Sequence, residues 1–295
     1  MNRKPPLQNH SEFEIELSGT STETFASTNS VVSRKMQVLP VKMPLIKPKE
    51  DLVKAVLQAT EKQRLELMEN DIVALSSKIV SFAEGRLAKL SEVKPSKKAE
   101  LLAEQYALAP AFAELILREA DRIIGGVEKA VLTLNNGVFT VNAGIDNKNA
   151  PKGFVVLWPK NPQRQAEHIR REILRRTGKR VGVLIVDSTV APLRMGTRGL
   201  AIGVAGFEPV RDYRRTRDLF AKEIVMTLHA VADDLASAVH SVMGESVERT
   251  PVAIIRGAHV TFADNVNAES MKIKFKDDVY VALLKSRQSS VLKEH

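Results

Sequence analysis

The chain has 295 residues, with 44 Lys and Arg against 35 Asp and Glu, a formal charge of +9, 44% apolar residues and no cysteine. The missing cysteine excludes disulfides, thiolate zinc sites, iron–sulfur clusters and a cysteine nucleophile together. Apolar runs such as 183–186 are far too short to span a bilayer and no secretory signal opens the chain, so a cytoplasmic protein is expected.

Residues 1–36 are rich in Ser and Thr and poor in periodic apolar positions, and the charges of 1–35 cancel. Such a segment does not offset its ordering entropy, so it reads as a flexible tail before a main domain over 37–295. Pro48, Glu50 and Asp51 open a helix whose apolar face is Leu52, Val53, Val56 and Leu57. A short strand follows over 71–75. Ser96 caps a helix that runs to about 106, and Pro110 starts another that runs to about 124. Residues 131–134, the turn Asn135-Asn136-Gly137 and 138–141 make a β-hairpin. Asn161 and Pro162 begin a helix that Gly178 ends.

Residues 181–186 read as a buried strand. A further strand over 199–206 is thinned by glycine, so that something can approach its backbone. In 217–243, Ile224, Leu228, Val231, Leu235, Ala238 and Val242 fall on one stripe, which predicts a long buried helix. A last strand covers 252–255. Interleaved helices and strands with a hairpin among them predict an α+β fold with mixed sheets.

The positive charge is local. Residues 160–180 hold eight basic side chains against two acidic ones, and 194–217 hold six arginines against two acids. The first cluster reads as a solvated helix face. In the second, arginines lie among glycines and suit anionic ligands, so Arg194 and Arg198 are proposed on chemistry alone as catalytic binders of phosphate or carboxylate.

No GxxxxGK[ST] loop, GxGxxG fingerprint or GxSxG elbow is present. What remains is a set of acids at structural transitions. Asp187 follows the strand over 181–186, with Ser188 beside it; oxygen donors at the mouth of a buried strand suit a hard divalent cation, and Asp-Ser equally suits a cap. Asp146, next to Gly144, and Asn149 follow the hairpin, where an Asx-turn is the simpler account. Glu245 follows the helix terminator Gly244. His229, Asp233 and His240 would share a helix stripe; a zinc site is conceivable there and a polar helix face is the better account. Lys78 and Arg86 flank Ser76-Ser77 and 83–85, where they suit phosphate.

Several short motifs occur in order: Pro44-Leu45-Ile46, Ile79-Val80-Ser81 with 83–86, 142–146, Asp187-Ser188, 201–206, 230–233, Met243-Gly244-Glu245 and Arg256-Gly257. Together, from about 41 to about 266, they resemble the coenzyme F420-0:L-glutamate ligases. The resemblance implies an α+β ligase domain, an intertwined homodimer, two divalent cations (Mn²⁺ or Mg²⁺), a potassium ion and GTP as co-substrate. It implies transfer of phosphate from GTP to an acceptor carboxylate, then attack by the amine of L-glutamate on the acyl phosphate. By matching position, Asp146, Asp187, Ser188 and Glu245 are implied as metal ligands. Pro44, Leu45, Ile46, Ser77, Lys78, Asn149, Met243, Gly244, Glu245 and Ser246 are expected to line the nucleotide. Phe82 stands where many members carry a lysine that reaches the nucleotide, and Val190-Ala191 and Met195, in the altered segment 189–195, depart from the family pattern and leave the acceptor open. A folate γ-glutamyl ligase is therefore the nearest alternative. A basic nucleic-acid-binding protein is a different class, disfavoured by 5% aromatic content and the lack of a known binding module.

Overall fold

The computed structural model describes residues 35–282. The predicted tail lies outside the described residues except for its last two positions.

In chain order the regular elements are β1 (Gln37–Val41), α1 (Leu52–Lys62), β2 (Ile72–Ser76), α2 (Ser77–Glu84), β3 (Leu87–Lys89), α3 (Lys97–Tyr106) and α4 (Pro110–Glu119). Next come β4 (Arg122–Val127), β5 (Ala130–Asn135), β6 (Val138–Val141), β7 (Phe154–Val156) and α5 (Pro162–Thr177). The last are β8 (Gly182–Val190), β9 (Thr197–Ala205), β10 (Arg211–Asp212), β11 (Leu228–His229), α6 (Val231–Met243) and β12 (Val252–Arg256).

A five-stranded sheet in the order β1-β12-β2-β8-β9 forms the centre. Only β2 and β8 pair in parallel; the other neighbours are antiparallel, as a mixed α+β sheet requires. Alternate residues of the inner strands feed two cores, as a period of two dictates. Val73, Leu75, Val183, Ile185 and Ile254 pack with α1 and α5 on one face. Ile72, Ala74, Leu184, Val186 and Ile255 pack with α6 on the other. The glycines of β9 mark where the helices press closest. A Cβ on Gly199 would sit 2.2 Å from the Ala236 carbonyl oxygen of α6, and one on Gly203 would sit 2.5 Å from the Pro162 oxygen of α5.

The predicted caps form. Asp51 accepts from the Lys54 amide, Ser96 from Ala99 and Asn161 from Arg164, while Gly178 closes α5 in the left-handed region. Two predicted helices are corrected. The one from Pro110 ends at Glu119, because Asp121 N–H turns to the Leu134 carbonyl and 122–127 join the hairpin as its third strand. The one over 217–243 begins only at Val231. Residues 211–229 instead form an antiparallel excursion, with Arg211 opposite His229 and Arg217 opposite Glu223. Leu219, Phe220, Val225 and Met226 stand exposed on it. Periodic apolar residues make a helix only when a core receives the stripe, and the sheet face under α6 is already filled.

A smaller core joins α3, α4 and the hairpin. Glu114 of α4 ties it together: its carboxylate accepts from Ser96 N and Oγ at 2.9 and 2.6 Å and from Arg118 Nε at 2.8 Å. The Ser96 hydroxyl, then the Ser96 amide and Arg118, hold the Glu114 carboxyl down at about 2. A depressed folded pKa adds stability above the ordinary value of 4.5, and that stability is lost as pH falls toward 2. In thermal melts against pH, Glu114→Gln is therefore expected to lie below wild type above pH 4.5, with the gap closing toward pH 2. A gap that persists unchanged at pH 2 would assign the loss to packing instead.

Candidate active site

The sheet topology delivers several chain segments to one edge. β2 and β8 run parallel with Ser76 opposite Val186, so the residues that follow, Ser77 just past the end of β2 and Asp187 where β8 outruns it, stand side by side. β12 runs antiparallel to β1 and β2, which brings its first residue, Val252, level with Leu75 and with the last residue of β1, Val41. The carboxyl ends of neighbouring strands are where mixed α/β sheets present ligand sites.

A cavity of about 890 Å³ opens at this edge. It is walled by 43–48, 186–188 and 243–251, with parts of 76–82 and 144–158. Asp146, Asp187 and Glu245, which lie far apart in the chain, all line it. Ser188, Pro44, Leu45, Ile46, Ser77, Lys78, Asn149, Met243, Gly244 and Ser246 line it too. Arg194 and Arg198 do not: both are exposed, near the β8–β9 connection, and neither reaches the cavity wall.

Asp187 is the half-buried centre. It lies within β8 rather than after it, because the strand continues to Val190. Its Oδ1 accepts from Ser77 Oγ at 2.9 Å and from the Ser188 amide at 2.9 Å, and its Oδ2 accepts from the indole Nε1 of Trp158. Burial pushes this carboxyl above its ordinary value against those three hydrogen bonds, and the Asp146 charge pushes the same way. Asp146 is held by its backbone, which exchanges hydrogen bonds with Val156 at 2.9 and 2.8 Å, and Lys78 Nζ sits 2.7 Å from its carboxylate.

Glu245 sits on the loop after α6. It accepts from Thr197 Oγ1 at 2.9 Å and meets His240 Nε2 at 2.8 Å. Burial raises its carboxyl, but these two contacts outweigh burial and hold it below the ordinary value. Asn149 Nδ2 donates to the Ser246 carbonyl at 2.9 Å, which ties the Asp146 loop to the Glu245 loop across the cavity mouth.

The donors fit hard cations. Asp187 has only neutral hydrogen-bond partners, so its half-buried carboxylate has no cation bonded to it beside the charge of Asp146. Among the described residues no three His, Asp or Glu side chains close a metal site by themselves. The histidine stripe does not assemble: His229 lies on β11, off the helix, and contacts Asp234, whereas His240 contacts Glu245.

A family profile described as F420-0:gamma-glutamyl ligase matches residues 40–257. The chain belongs to that family.

Among relatives of this family member, the coenzyme F420:L-glutamate ligase of Methanopyrus kandleri is 39% identical over 213 residues, covering 72% of this chain and 82% of the relative. The protein of the same name from Methanocaldococcus jannaschii is 37% identical over 245 residues, covering 83% and 96%. The matched range contains the cavity segments from Pro44 to Pro251. Two contributors carried no signal in the sequence. Trp158 adjoins Pro159 in a connection without periodicity, and Thr197 pairs with Glu245 only because β9 returns beside β8. No helix among the described residues is long and apolar enough to cross a membrane.

Proposed function

We propose that the protein is a GTP-dependent γ-glutamyl ligase that adds L-glutamate to coenzyme F420-0. The observation that supports this most is the convergence of Asp146, Asp187 and Glu245 on one cavity whose other walls are 43–48 and 243–251. In this reading the acceptor carboxylate attacks the γ-phosphorus of GTP, and GDP leaves. The glutamate amine then attacks the acyl phosphate, loses a proton and expels inorganic phosphate. Such transfers depend on positioning and charge neutralisation more than on a side-chain nucleophile.

Asp146, Asp187, Ser188 and Glu245 would hold two divalent ions, Mn²⁺ or Mg²⁺, near a potassium ion; when bound, these ions neutralise the phosphate oxygens. Lys78 adds a protein cation at the same place. Pro44, Leu45 and Ile46 offer an apolar rim for the guanine base, with Leu45 79% exposed on it. Asn149, Met243, Gly244 and Ser246 form the facing wall. Arg194 and Arg198 take no part in the reading at the level of one chain. Nucleic-acid binding is disfavoured because basic side chains of α5 are spent internally: Arg175 and Arg176 on Glu172, Arg176 also on Asp51, and Arg170 on Asp264.

The homodimer belongs to the same proposal. Leu193, Met195, Leu219 and Phe220 are almost fully exposed on two excursions from the sheet, a costly display for a lone subunit. Each such side chain gains about 1.5–3 kcal/mol when covered. A second copy is the partner proposed to cover them. Light scattering of Leu219→Asp with Phe220→Asp is expected to show a monomer where the wild type shows a dimer. A variant of unchanged mass would remove the excursion from the interface.

The reading places the enzyme in the cytoplasm with its nucleotide. Its test is mass spectrometry of reactions containing GTP, Mn²⁺, L-glutamate and F420-0. Addition of one glutamate residue to F420-0, with GDP formed only when all components are present, is the expected result. A reduced folate in place of F420-0 tests the alternative acceptor. Turnover with folate alone would overturn the F420-0 assignment and keep the ligase chemistry.

A further inference from the structure

The sole tryptophan of the chain is packed into the candidate site at 4% exposure. Trp158 lies two residues beyond Val156, whose backbone pairs with Asp146, and its indole N–H reaches Asp187 Oδ2. Arg86 fixes its backbone, donating from Nε to the Trp158 carbonyl at 3.1 Å. The indole also lies against Gly144 in the loop that carries Asp146: a Cβ there would sit 2.6 Å from the ring. One side chain thus spans the strand that bears Asp187 and the loop that bears Asp146.

The hydrogen bonds divide the Asp187 carboxylate unequally. A carboxylate has about four acceptor sites, two on each oxygen. Oδ1 takes two donors, Ser77 and Ser188, and is saturated. Oδ2 takes only Trp158 and keeps one site free. We propose that Trp158 is a positioning residue for the ligase reaction, orienting Asp187 so that Oδ2 offers its remaining site to a divalent cation in the cavity. The inference rests on the metal-dependent reading given above. Without the indole N–H, Ser77 and Ser188 still anchor Oδ1, but Oδ2 loses its one donor and can swing about that anchor, so its free acceptor site no longer faces one direction. Partners that orient a metal ligand typically change metal affinity or activity by about 10–100-fold when removed.

The test uses full-length protein, Mn²⁺ as the probe and GDP present. Two substitutions remove the N–H: Trp158→Phe, and replacement of the sole tryptophan by β-(3-benzothienyl)alanine, which puts sulfur where the indole carries N–H and keeps the shape. Mn²⁺ affinity is measured by the electron paramagnetic resonance of the free ion, and stability by thermal melting. Both proteins are expected to bind Mn²⁺ about 10–100-fold more weakly, with the benzothienyl protein melting close to wild type. In the wild type, Mn²⁺ at Asp187 should quench the indole fluorescence. A benzothienyl protein that binds Mn²⁺ as the wild type does overturns the positioning role and leaves the metal reading intact. Binding to the wild type without quenching places the ion away from Asp187 and also overturns it. A wild type that binds no Mn²⁺ overturns both.

Discussion

Asp187→Asn is expected to lower cation-dependent ligase turnover by at least about 10²–10³-fold, the scale on which removing one preorganised charge-stabilising group acts. The substitution keeps the side-chain shape and removes the negative charge. It also replaces one oxygen with a donor, where the Ser188 and Trp158 N–H groups require acceptors and only the Ser77 hydroxyl can turn to accept. Either orientation of the amide sets its NH₂ against one of those N–H groups, which costs stability. Removing a buried charge without a cationic partner returns stability. The two effects oppose, so the melting temperature should move little while turnover collapses. Melting and turnover of the same preparation, with Mn²⁺ at saturation, check both halves. Undiminished turnover would take Asp187 out of the site, and a large fall in melting temperature would make the loss one of folding.

The parts of this fold that were legible in the sequence are those where a local signal had a local cause. Ser96, Asn161 and Gly178 end helices because orphan backbone groups must be satisfied within a turn. Asn136-Gly137 reverses the hairpin because both residues accept the left-handed region. The glycines of 199–206 announce a place of close approach, although only the folded chain shows that helix backbones fill it. The 217–243 stripe misled because periodicity carries no information about whether a core is free to receive it. The segment holds no proline or glycine between Arg217 and Met243 to break the pattern.

The candidate site was legible one acid at a time. Asp146, Asp187 and Glu245 each had an ordinary capping or loop explanation, and only the ordered set of motifs made them a group. Their convergence is a property of the folded chain: β8 carries Asp187, the backbone of Val156 holds Asp146, and Thr197 of β9 holds Glu245. Trp158 was illegible for the same reason, since its partner lies 29 residues away. Arg194 and Arg198 carry the charge that a phosphate or carboxylate needs, but neither lines the cavity of a single chain.

Arg256-Gly257, one of the motifs that carried the resemblance, stands at the far end of the sheet from the cavity, and its work is structural. Arg256 Nε and its terminal nitrogen donate to the two Asp71 oxygens at 2.9 and 2.8 Å, and the guanidinium also reaches the Glu66 carbonyl at 2.8 Å. Asp71 immediately precedes β2, its side chain is only 1% exposed, and Oδ2 takes the Met68 amide as well. The pair therefore fixes the start of β2 against the end of β12. Asp71→Asn leaves the guanidinium facing an uncharged partner that can accept through only one oxygen. Breaking a buried ion pair from one side costs about 3–5 kcal/mol, and the low end applies because Arg256 keeps 26% of its side chain exposed. In a domain of this size about 3 kcal/mol corresponds to a fall in melting temperature of roughly 6–12 °C. Pairing Asp71→Asn with Arg256→Gln should cost less than the two single losses added, because the second change removes the stranded charge. Strict additivity would mean that the two groups do not act as a pair. Turnover measured well below the melting transition should stay near wild type in Asp71→Asn, because Ser77 follows the opposite end of β2 from Asp71 and Asp187 stands level with it on β8. An activity loss there without a loss of stability would show that β2 transmits changes at its start to the site.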